Sequence, residues 1–486
     1  MVSEARWWQI GGRVGIPPAQ RHTLRLVALS ATAGLLVAAG AVAAAGPWEG
    51  GQRRAERERA AAVAAHADSP HAPSVTPGTP PVLAALGDGA GSPPARAGLA
   101  AVLDPLLRDP ALGAQAAGVV YDAATGQRLY GSGQDGAYTP ASTVKLATAA
   151  AALTALGPDH RIETTAVREG DTVVLVGGGD PTLTARPANG AGPRPASLAD
   201  LADATARALK ADGKDHVRLA YDTSRYTGPT QHTIGPNDNI APVTALMADE
   251  GRLDASDHGP ADRTADPAGD AARAFAALLR ERGVSCEGEP AEGRAPAGAR
   301  PLAAVSSPPL SALVERALTT SDNDIAEALA RQTALASGRP ASFEGAAQAV
   351  TERLRQLGLP LDGARIADGS GLDRADALSP DLLARLLALA ADPRRPALRP
   401  LLTGLPVAGF SGTLRGRYGD GAAGRGLVRA KTGTLTRVNT LAGTAVDADG
   451  RLLAFAFMAN GTTDADGAQR ALDRMASAVA ACGCRG

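Results

Sequence analysis

Lysine is scarce in this chain, so each lysine is a candidate for chemistry that arginine cannot perform. The 486 residues include 49 Lys and Arg, of which the lysines are Lys145, Lys210, Lys214 and Lys431. Arginine keeps its proton, whereas a lysine can lose its proton when it is buried or lies near another cation. Ser142 precedes Lys145 by one helical turn, and a neutral amine at that spacing could take the proton of a serine nucleophile. An ordinary surface lysine is the simpler interpretation of any single one.

The stretch TPASTVKLATAAAALTALGP around this pair predicts a helix. Thr139 is a suitable N-cap and Pro140 suits the first helical position, while a glycine–proline pair ends the helix after Leu156. Ser142 would then lie in the first turn, on the same face as Lys145. The helix dipole favours negative charge there, which would assist an activated serine.

A second motif is Ser321-Asp322-Asn323. The segments SALVERAL before it and IAEALARQTAL after it predict two helices, so the motif lies at their junction. A loop there can present the hydroxyl of Ser321 and the carboxamide of Asn323 to one cleft. The same residue types are the preferred helix N-caps, and for this motif alone capping is the favoured interpretation.

A third motif lies in VRAKTGTLTRV, which opens an apparent antiparallel meander with TLAGTAV and LLAFAFMAN. Lys431, Thr432, Gly433 and Thr434 would lie on or near its first strand. Gly433 would let another backbone or a substrate approach the strand edge closely. A plain strand end is the alternative, but two of the scarce lysines fall in two of the three motifs.

Together, Ser-Thr-Val-Lys, Ser-Asp-Asn and Lys-Thr-Gly resemble the three motifs of penicillin-binding proteins and serine β-lactamases. More narrowly, the chain resembles the class C low-molecular-mass penicillin-binding proteins, the D-alanyl-D-alanine carboxypeptidase/endopeptidase family. The stretches LVGGGDPTL, APVTAL, DGSGLDR and LPVAGFSGTLRGR add to this resemblance, which extends over roughly residues 98–482. We interpret DGSGLDR, and Asp180 in LVGGGDPTL, as structural turns.

The resemblance implies an α/β (α+β) fold. It consists of a transpeptidase-like domain, an antiparallel sheet flanked by helices with a helical subdomain, interrupted by an inserted β-rich domain. The catalytic domain would comprise residues 98–169 and 268–486, and the inserted domain residues 170–267, where TVVLVG and VRLAYD look like strands. The long separation of Ser142 from Ser321 favours this arrangement over a β-lactamase, which needs far less chain there.

The resemblance also implies a role for each residue in acyl transfer at a D-Ala-D-Ala peptide end. Ser142 would attack the penultimate carbonyl and Lys145 would be the general base, kept neutral by nearby Lys431. Ser321 would pass the proton to the leaving amine, and Asn323 would hold the substrate amide or orient Lys145.

The third motif would complete the substrate site. Lys431 and Thr432 would face the terminal carboxylate, with Gly433 and Thr434 beside the substrate, and the backbone amides of Ser142 and Thr434 would form an oxyanion hole. The expected partners are peptidoglycan stem peptides and, as covalent inhibitors, β-lactams. No metal or cofactor is expected. The alternatives are a serine β-lactamase and a non-catalytic penicillin-binding sensor.

Composition is that of a globular protein with room for two or three domains, at 44% hydrophobic and 20% charged residues. A net charge of −1 and 3% aromatic residues give no support to a nucleic-acid partner. The cysteines, Cys286, Cys482 and Cys484, show no zinc-site spacing. Cys286 could pair with either of the others in an oxidising compartment, and unpaired thiols are an equal alternative.

The N-terminal region predicts a membrane tether. Residues 26–46 carry no charge and are long enough to span a bilayer, after an arginine-containing leader at 1–25. They are an anchor or a cleaved signal segment, and both interpretations place the remainder outside the cytoplasm. Residues 47–97, rich in Ala, Pro, Gly and Ser, predict a disordered spacer.

Overall fold

The computed structural model describes residues 93–186 and 194–483. The predicted leader and membrane segment, and the predicted spacer up to residue 92, lie outside the described residues. Among the helices of the described part, none combines the length and the apolar composition that crossing a bilayer would need. All of the described residues belong to one compact unit.

Ten helices and ten strands can be followed along the described residues. In chain order they are α1 (Arg96–Leu107), β1 (Gln115–Asp122), β2 (Arg128–Ser132), α2 (Val144–Leu156), β3 (Glu163–Glu169), β4 (Thr172–Val176), α3 (Leu198–Ala211), β5 (His216–Asp222), α4 (Pro267–Glu281), β6 (Ser285–Glu292), β7 (Arg300–Ser306), α5 (Leu310–Thr319), α6 (Asn323–Ala336), α7 (Phe343–Gln356), α8 (Pro380–Ala391), α9 (Pro400–Thr403), β8 (Val428–Leu435), β9 (Val438–Val446), β10 (Leu452–Asn460) and α10 (Ala465–Ala481).

The first sheet is antiparallel, with strand order β2-β1-β10-β9-β8. Its last three strands form the meander that the sequence predicts. Strand β10 shows how the sheet separates two cores, because neighbouring side chains of a strand point to opposite faces. Phe455 and Phe457 pack against α1 and α10, while Ala456 and Met458 pack against the helical subdomain. The N-terminal and C-terminal helices thus close one face of the sheet that carries the third motif.

The helical subdomain packs around α2, whose residues 144–153 are all buried. Four consecutive alanines, 149–152, give this helix a thin profile, which lets α5, α6 and α7 approach from several sides. The predicted helix is present, but its α-helical part begins at Val144 and a 3-10 turn, Ala141–Thr143, precedes it. The difference arises at Ala141, whose φ of 47° takes the backbone out of the right-handed helix and removes Thr139 from the N-cap position.

The second sheet has the strand order β6-β5-β4-β3-β7. Strands β4, β5 and β6 are parallel, and such pairs need crossover connections, which α3 and α4 provide. Both helices bury one apolar face on the sheet, represented by Leu201 and Leu209 on α3 and by Phe275 and Leu279 on α4. The strand-like runs TVVLVG and VRLAYD are β4 and β5, while the insertion has more helix than the sequence analysis expects.

The second sheet also extends beyond residues 170–267 on both sides. Residue Gly170 lies in the β3–β4 hairpin turn with φ of 57°, and β3 pairs with both β4 and β7. Strands β3, β6 and β7 therefore belong with the insertion.

Of the cysteines, Cys286 on β6 is a free thiol and Cys482 is disulfide-bonded, so the interpretation in which Cys286 forms a bridge is wrong. Cys484 lies outside the described residues.

The core of the first sheet offers a matched test of burial. Phe457 is fully buried and stacks on Phe455 at 5.0 Å between ring centroids, whereas Phe410 is 57% exposed. We expect Phe457→Ala to lower the free energy of unfolding by about 3–5 kcal/mol, since it removes buried area and leaves a cavity. Phe410→Ala should change it far less. Denaturant unfolding followed by circular dichroism measures both, and equal losses would contradict the assignment of this core.

Candidate active site

Ser142 lies in the 3-10 turn that precedes α2. The turn is fixed to the sheet through the carbonyl of Pro140, which accepts hydrogen bonds from Thr143 Oγ1 at 2.7 Å and from Thr440 Oγ1 of β9 at 2.8 Å. Ala141 keeps a left-handed backbone in the middle of these contacts, a conformation that costs free energy and persists only where the surroundings enforce it. The nucleophile candidate therefore has a position set by the sheet as well as by its own helix.

Lys145 is 1% exposed and its amine is surrounded by oxygen atoms. Nζ lies 3.0 Å from Ser142 Oγ and donates to Asn323 Oδ1 and to the carbonyl of Ser370, both at 2.6 Å. Three separate segments of the chain thus meet at one nitrogen. One of the three hydrogen-bonding positions of the amine therefore points at Ser142, and Asn323 and Ser370 take the other two.

Burial lowers the pKa of Lys145 to about 8, because the charged form loses its hydration, although nearby carboxylates, Asp368 first among them, oppose this shift. The family resemblance predicts that repulsion by Lys431 keeps this amine neutral. In the structure burial is the leading cause at Lys145, so this explanation needs correction. The repulsion appears at the other lysine, where burial, then Lys145 and Arg417, lower the pKa of Lys431 well below its usual value.

The Ser-Asp-Asn motif lies at the junction of α5 and α6, as predicted. One of its residues caps α6, and the other two contact the buried lysines. Asp322 is the N-cap of α6, where its side chain accepts from Ile325 N at 3.0 Å. Ser321 has φ of 63°, which turns its hydroxyl toward Lys431. Asn323 binds Lys145 through Oδ1 and donates through Nδ2 to the carbonyl of Asn239 at 3.0 Å. The capping interpretation therefore holds for the middle residue alone.

The Lys-Thr-Gly motif lies on β8, the edge strand of the first sheet. Lys431 is fully buried, and its Nζ donates to Ser321 Oγ at 2.8 Å and to the Thr432 carbonyl at 2.7 Å. Thr434 is exposed and lines the same cavity as Ser142. An edge strand has backbone groups free for a peptide to bind alongside.

Gly433 has a steric reason to be glycine. A Cβ at this position would lie 2.1 Å from Thr440 Oγ1 and 2.7 Å from the Pro140 carbonyl. The absent side chain therefore lets β8 lie directly against the turn that carries Ser142, which is the close backbone approach that the sequence predicts.

These residues surround a cavity of about 240 Å³. The walls also include residues that the sequence analysis missed. They are Asn239, Arg252, Gly259, Pro260, Arg263, Thr320, Leu372 and Thr413. Thr413 lies in LPVAGFSGTLRGR, and its Oγ1 is 2.9 Å from Thr432 Oγ1. That stretch carries no predicted role. The wall residues Asn239, Arg252, Gly259, Pro260 and Arg263 belong to the insertion, where no local pattern marks them.

The two turns interpreted as structural, the one with Asp180 and DGSGLDR, differ in whether they contact Lys145. Asp180 is buried and accepts from Thr182 N and Oγ1 at 2.9 and 2.7 Å, and burial raises the pKa of its carboxyl to about 6. DGSGLDR contributes the Ser370 carbonyl that binds Lys145, so this turn positions the candidate base. A backbone carbonyl carries no signal in the sequence, which explains why it was missed.

Comparison with known proteins finds a matching family and similar proteins. A family model described as the D-Ala-D-Ala carboxypeptidase 3 (S13) family matches residues 99–261 and 254–481. A carboxypeptidase of Mycobacterium tuberculosis is 40% identical over 448 residues, covering 87% of this chain and 91% of that protein. The D-alanyl-D-alanine carboxypeptidase of Actinomadura sp. strain R39 is 30% identical over 441 residues, covering 74% of this chain and 80% of that protein.

The fold has a counterpart among solved structures. The crystal structure of penicillin-binding protein 4 from Haemophilus influenzae superposes with a TM-score of 0.64 at 23% identity, covering 79% of this chain and 97% of that one. The predicted fold class is thereby confirmed. Since the family model spans nearly all of the described residues, the chain belongs to the S13 family of D-Ala-D-Ala carboxypeptidases.

Proposed function

We propose that this S13 carboxypeptidase releases the terminal D-Ala of peptidoglycan stem peptides through an acyl-enzyme on Ser142, with Lys145 as the base, and that it cleaves cross-linked peptides by the same chemistry. The observation that carries this assignment is the environment of Lys145 Nζ. A neutral amine has two N–H groups and one lone pair. Asn323 and Ser370 accept the two N–H groups, which leaves the lone pair directed at the Ser142 hydroxyl.

Acylation then begins with proton transfer from Ser142 Oγ to Lys145 Nζ. Oγ forms a bond to the carbonyl carbon of the penultimate D-Ala, and the carbonyl oxygen becomes an oxyanion. The backbone amides of Ser142 and Thr434 would bind it from the cavity wall. Preorganised donors of this kind each contribute about 3–4 kcal/mol to binding the transition state.

Collapse of this intermediate breaks the peptide bond and needs a proton on the leaving nitrogen. Ser321 Oγ is suited to supply it, because the hydroxyl accepts from Lys431 Nζ and borders the cavity. Lys431 can restore the proton of Ser321, and its charge, with the hydroxyl of Thr432, would bind the carboxylate of the departing D-Ala. Before deacylation Lys145 gives up to solvent the proton that it took from Ser142, and Lys431 regains one from solvent. Water then attacks the ester, the neutral Lys145 accepts a proton from that water, and this proton passes to Ser142 Oγ as the ester bond breaks and the shortened peptide leaves as its carboxylic acid.

A β-lactam would follow the first half of this path. Its ring amide takes the place of the scissile peptide bond, so opening of the ring leaves the inhibitor esterified to Ser142. The departing nitrogen stays tethered to the acyl group and obstructs the approach of water.

We also propose that residues 26–46 hold the catalytic region at the outer face of a membrane. The uncharged length of this segment and the positive residues before it support this interpretation. Deletion of residues 1–46 should release the protein from the membrane fraction of the producing cells. If cells that express the full-length sequence instead yield soluble protein whose N-terminus lies near residue 46 by mass spectrometry, the segment is a cleaved signal.

Covalent labelling tests the nucleophile. Full-length protein incubated with fluorescent penicillin should carry one label, which Ser142→Ala abolishes because the acylated oxygen is gone. Gel fluorescence and mass spectrometry of the labelled peptide report the result. Release of D-Ala from a pentapeptide should disappear in the same variant. Folded parent protein that takes no label would refute the acyl-transfer assignment, and rapid turnover of a chromogenic cephalosporin would favour a β-lactamase.

The pH dependence of labelling tests the base. Lys145 accepts a proton only when it is neutral, so the acylation rate should rise with pH and level off above its pKa of about 8. Lys145→Ala should reduce the rate by about 10²–10⁴-fold. Lys214→Ala is a matched control, since that lysine lies on the surface in an ion pair with Asp171. A flat profile between pH 6 and 10 in the parent would contradict the role of Lys145.

A further inference from the structure

A buried group of ionisable side chains lies behind Lys145, on the side away from the substrate cavity. Its members are His232, Glu327, Asp368 and Asp376, each no more than 3% exposed. None of them borders the cavity that contains Ser142. His232 comes from the insertion, between β5 and α4, while the three acids come from α6 and the turn 368–376.

The acids of this group fix the turn that holds Lys145. Asp368 Oδ1 accepts from Ser370 N at 3.1 Å and from Gly371 N at 2.6 Å. Glu327 Oε1 accepts from Gly369 N and from Ser370 N, both at 2.9 Å. With both carboxylates bound to its N–H groups, the turn directs the Ser370 carbonyl at Lys145 Nζ. A shift of the Asp368 carboxylate would therefore move an acceptor of the base.

His232 determines where that carboxylate lies. Its Nε2 is 2.9 Å from Asp368 Oδ2, and its ring meets Phe343 edge-on at 5.3 Å between centroids. Nδ1 accepts from Ile234 N at 3.3 Å, so a proton on Nδ1 would face another N–H. We therefore assign the Nε2–H form, in which His232 donates to Asp368.

The charges around His232 favour its hydrogen bond to Asp368. Burial disfavours the imidazolium, but the hydrogen bond to Asp368 and the charges of Glu327, Asp368 and Asp373 raise the pKa of His232 above its usual value. Asp376 lies against Asp368, and Arg331 lies near Glu327. His232, Glu327 and Asp368 could each offer a ligand atom to a metal ion. Backbone N–H groups already bind Glu327 Oε1 and Asp368 Oδ2, so we interpret the group as a hydrogen-bonded network.

We propose that His232 is a positioning residue for the acylation reaction, which acts through Asp368 and the Ser370 carbonyl to hold the amine of Lys145 against Ser142. The proposal rests on the function proposed above. It makes the insertion a part of the catalytic apparatus, because the packing of the inserted segment then decides the geometry of the base.

Substitution of His232 by Gln or by Asn tests the two ring nitrogens of the imidazole separately. In His232→Gln the amide nitrogen can take the place of Nε2 and donate to Asp368. In His232→Asn it reaches only the Nδ1 position, and the donor to Asp368 is lost. His216→Asn is the matched control, since His216 is exposed on β5 of the second sheet. The readout is the rate constant of labelling by fluorescent penicillin from pH 6 to 10, with the full-length protein.

We expect His232→Asn to slow labelling at pH 7 by about 10- to 100-fold, the size of effect that a small misplacement of a reacting group produces. The midpoint of the pH profile should move upward, because the field of Asp368 at Lys145 is then less compensated. The labelling rate of His232→Gln should stay within about 3-fold of that of the parent, because this variant keeps the hydrogen-bond donor to Asp368. Equal losses in the Gln and Asn variants, or a lower rate at every pH with an unchanged midpoint, would overturn the proposal.

A measurement on the parent protein keeps the test independent of folding of the variants. Histidine ¹H–¹⁵N correlation spectra, assigned by His232→Gln, should show the proton of His232 on Nε2 near pH 7. A proton on Nδ1 alone would leave nothing to donate to Asp368 and would refute the proposal. So would a loss of labelling on treatment with EDTA that zinc restores. Absence of label in the parent would instead refute the function itself.

Discussion

The structure depends on the burial of two amines, Lys145 and Lys431, in the same region of the protein. Each charged amine loses its hydration on burial, and the charge of Lys145 further disfavours that of Lys431. Both nitrogen atoms are surrounded by oxygen acceptors, and those of Asn323, Ser370 and Ser321 come from distant parts of the chain. Because a buried polar group without a partner is costly, the three motifs, the 368–371 turn and β8 are all held to one arrangement.

That arrangement requires backbone conformations that isolated segments would avoid. Ala141, beside the proposed nucleophile, and Ser321, in the proposed proton path, both have positive φ. Gly433 is the complementary case, where the absence of a side chain lets β8 lie against the turn that carries Ser142. The antiparallel sheet supplies the rigidity, since Thr440 of β9 bonds to the carbonyl that precedes Ala141. Strain at the site is thus maintained by the regular structure around it.

The insertion takes part in the site as well as interrupting the chain. Asn239 accepts a hydrogen bond from Asn323, and Arg252, Gly259, Pro260 and Arg263 form one wall of the cavity. Arg263 pairs with Asp324, so a buried ion pair fixes this wall to α6, while Arg252 pairs with Glu250 within the insertion. Burial, followed by the charge of Asp322, raises the pKa of Glu250 well above its usual value. The inserted segment and the helical subdomain therefore share one charge network beside the Ser-Asp-Asn motif.

The sequence by itself determined the residue types of the chemistry and the elements that carry them. Ser142 and Lys145 stand one turn apart, Ser321 and Asn323 lie between two helices, and Lys431 is on a strand, because helix spacing, capping signals and alternating apolar residues are local properties. Tertiary structure alone decided what surrounds them. The groups concerned lie far apart in sequence: the Ser370 carbonyl, the Asn239 carbonyl, His232 and β7, which pairs with β3. A local pattern carries no record of which distant group will fill a given space. The leading cause of the lowered pKa of Lys145 is burial, which exists only once the chain has folded.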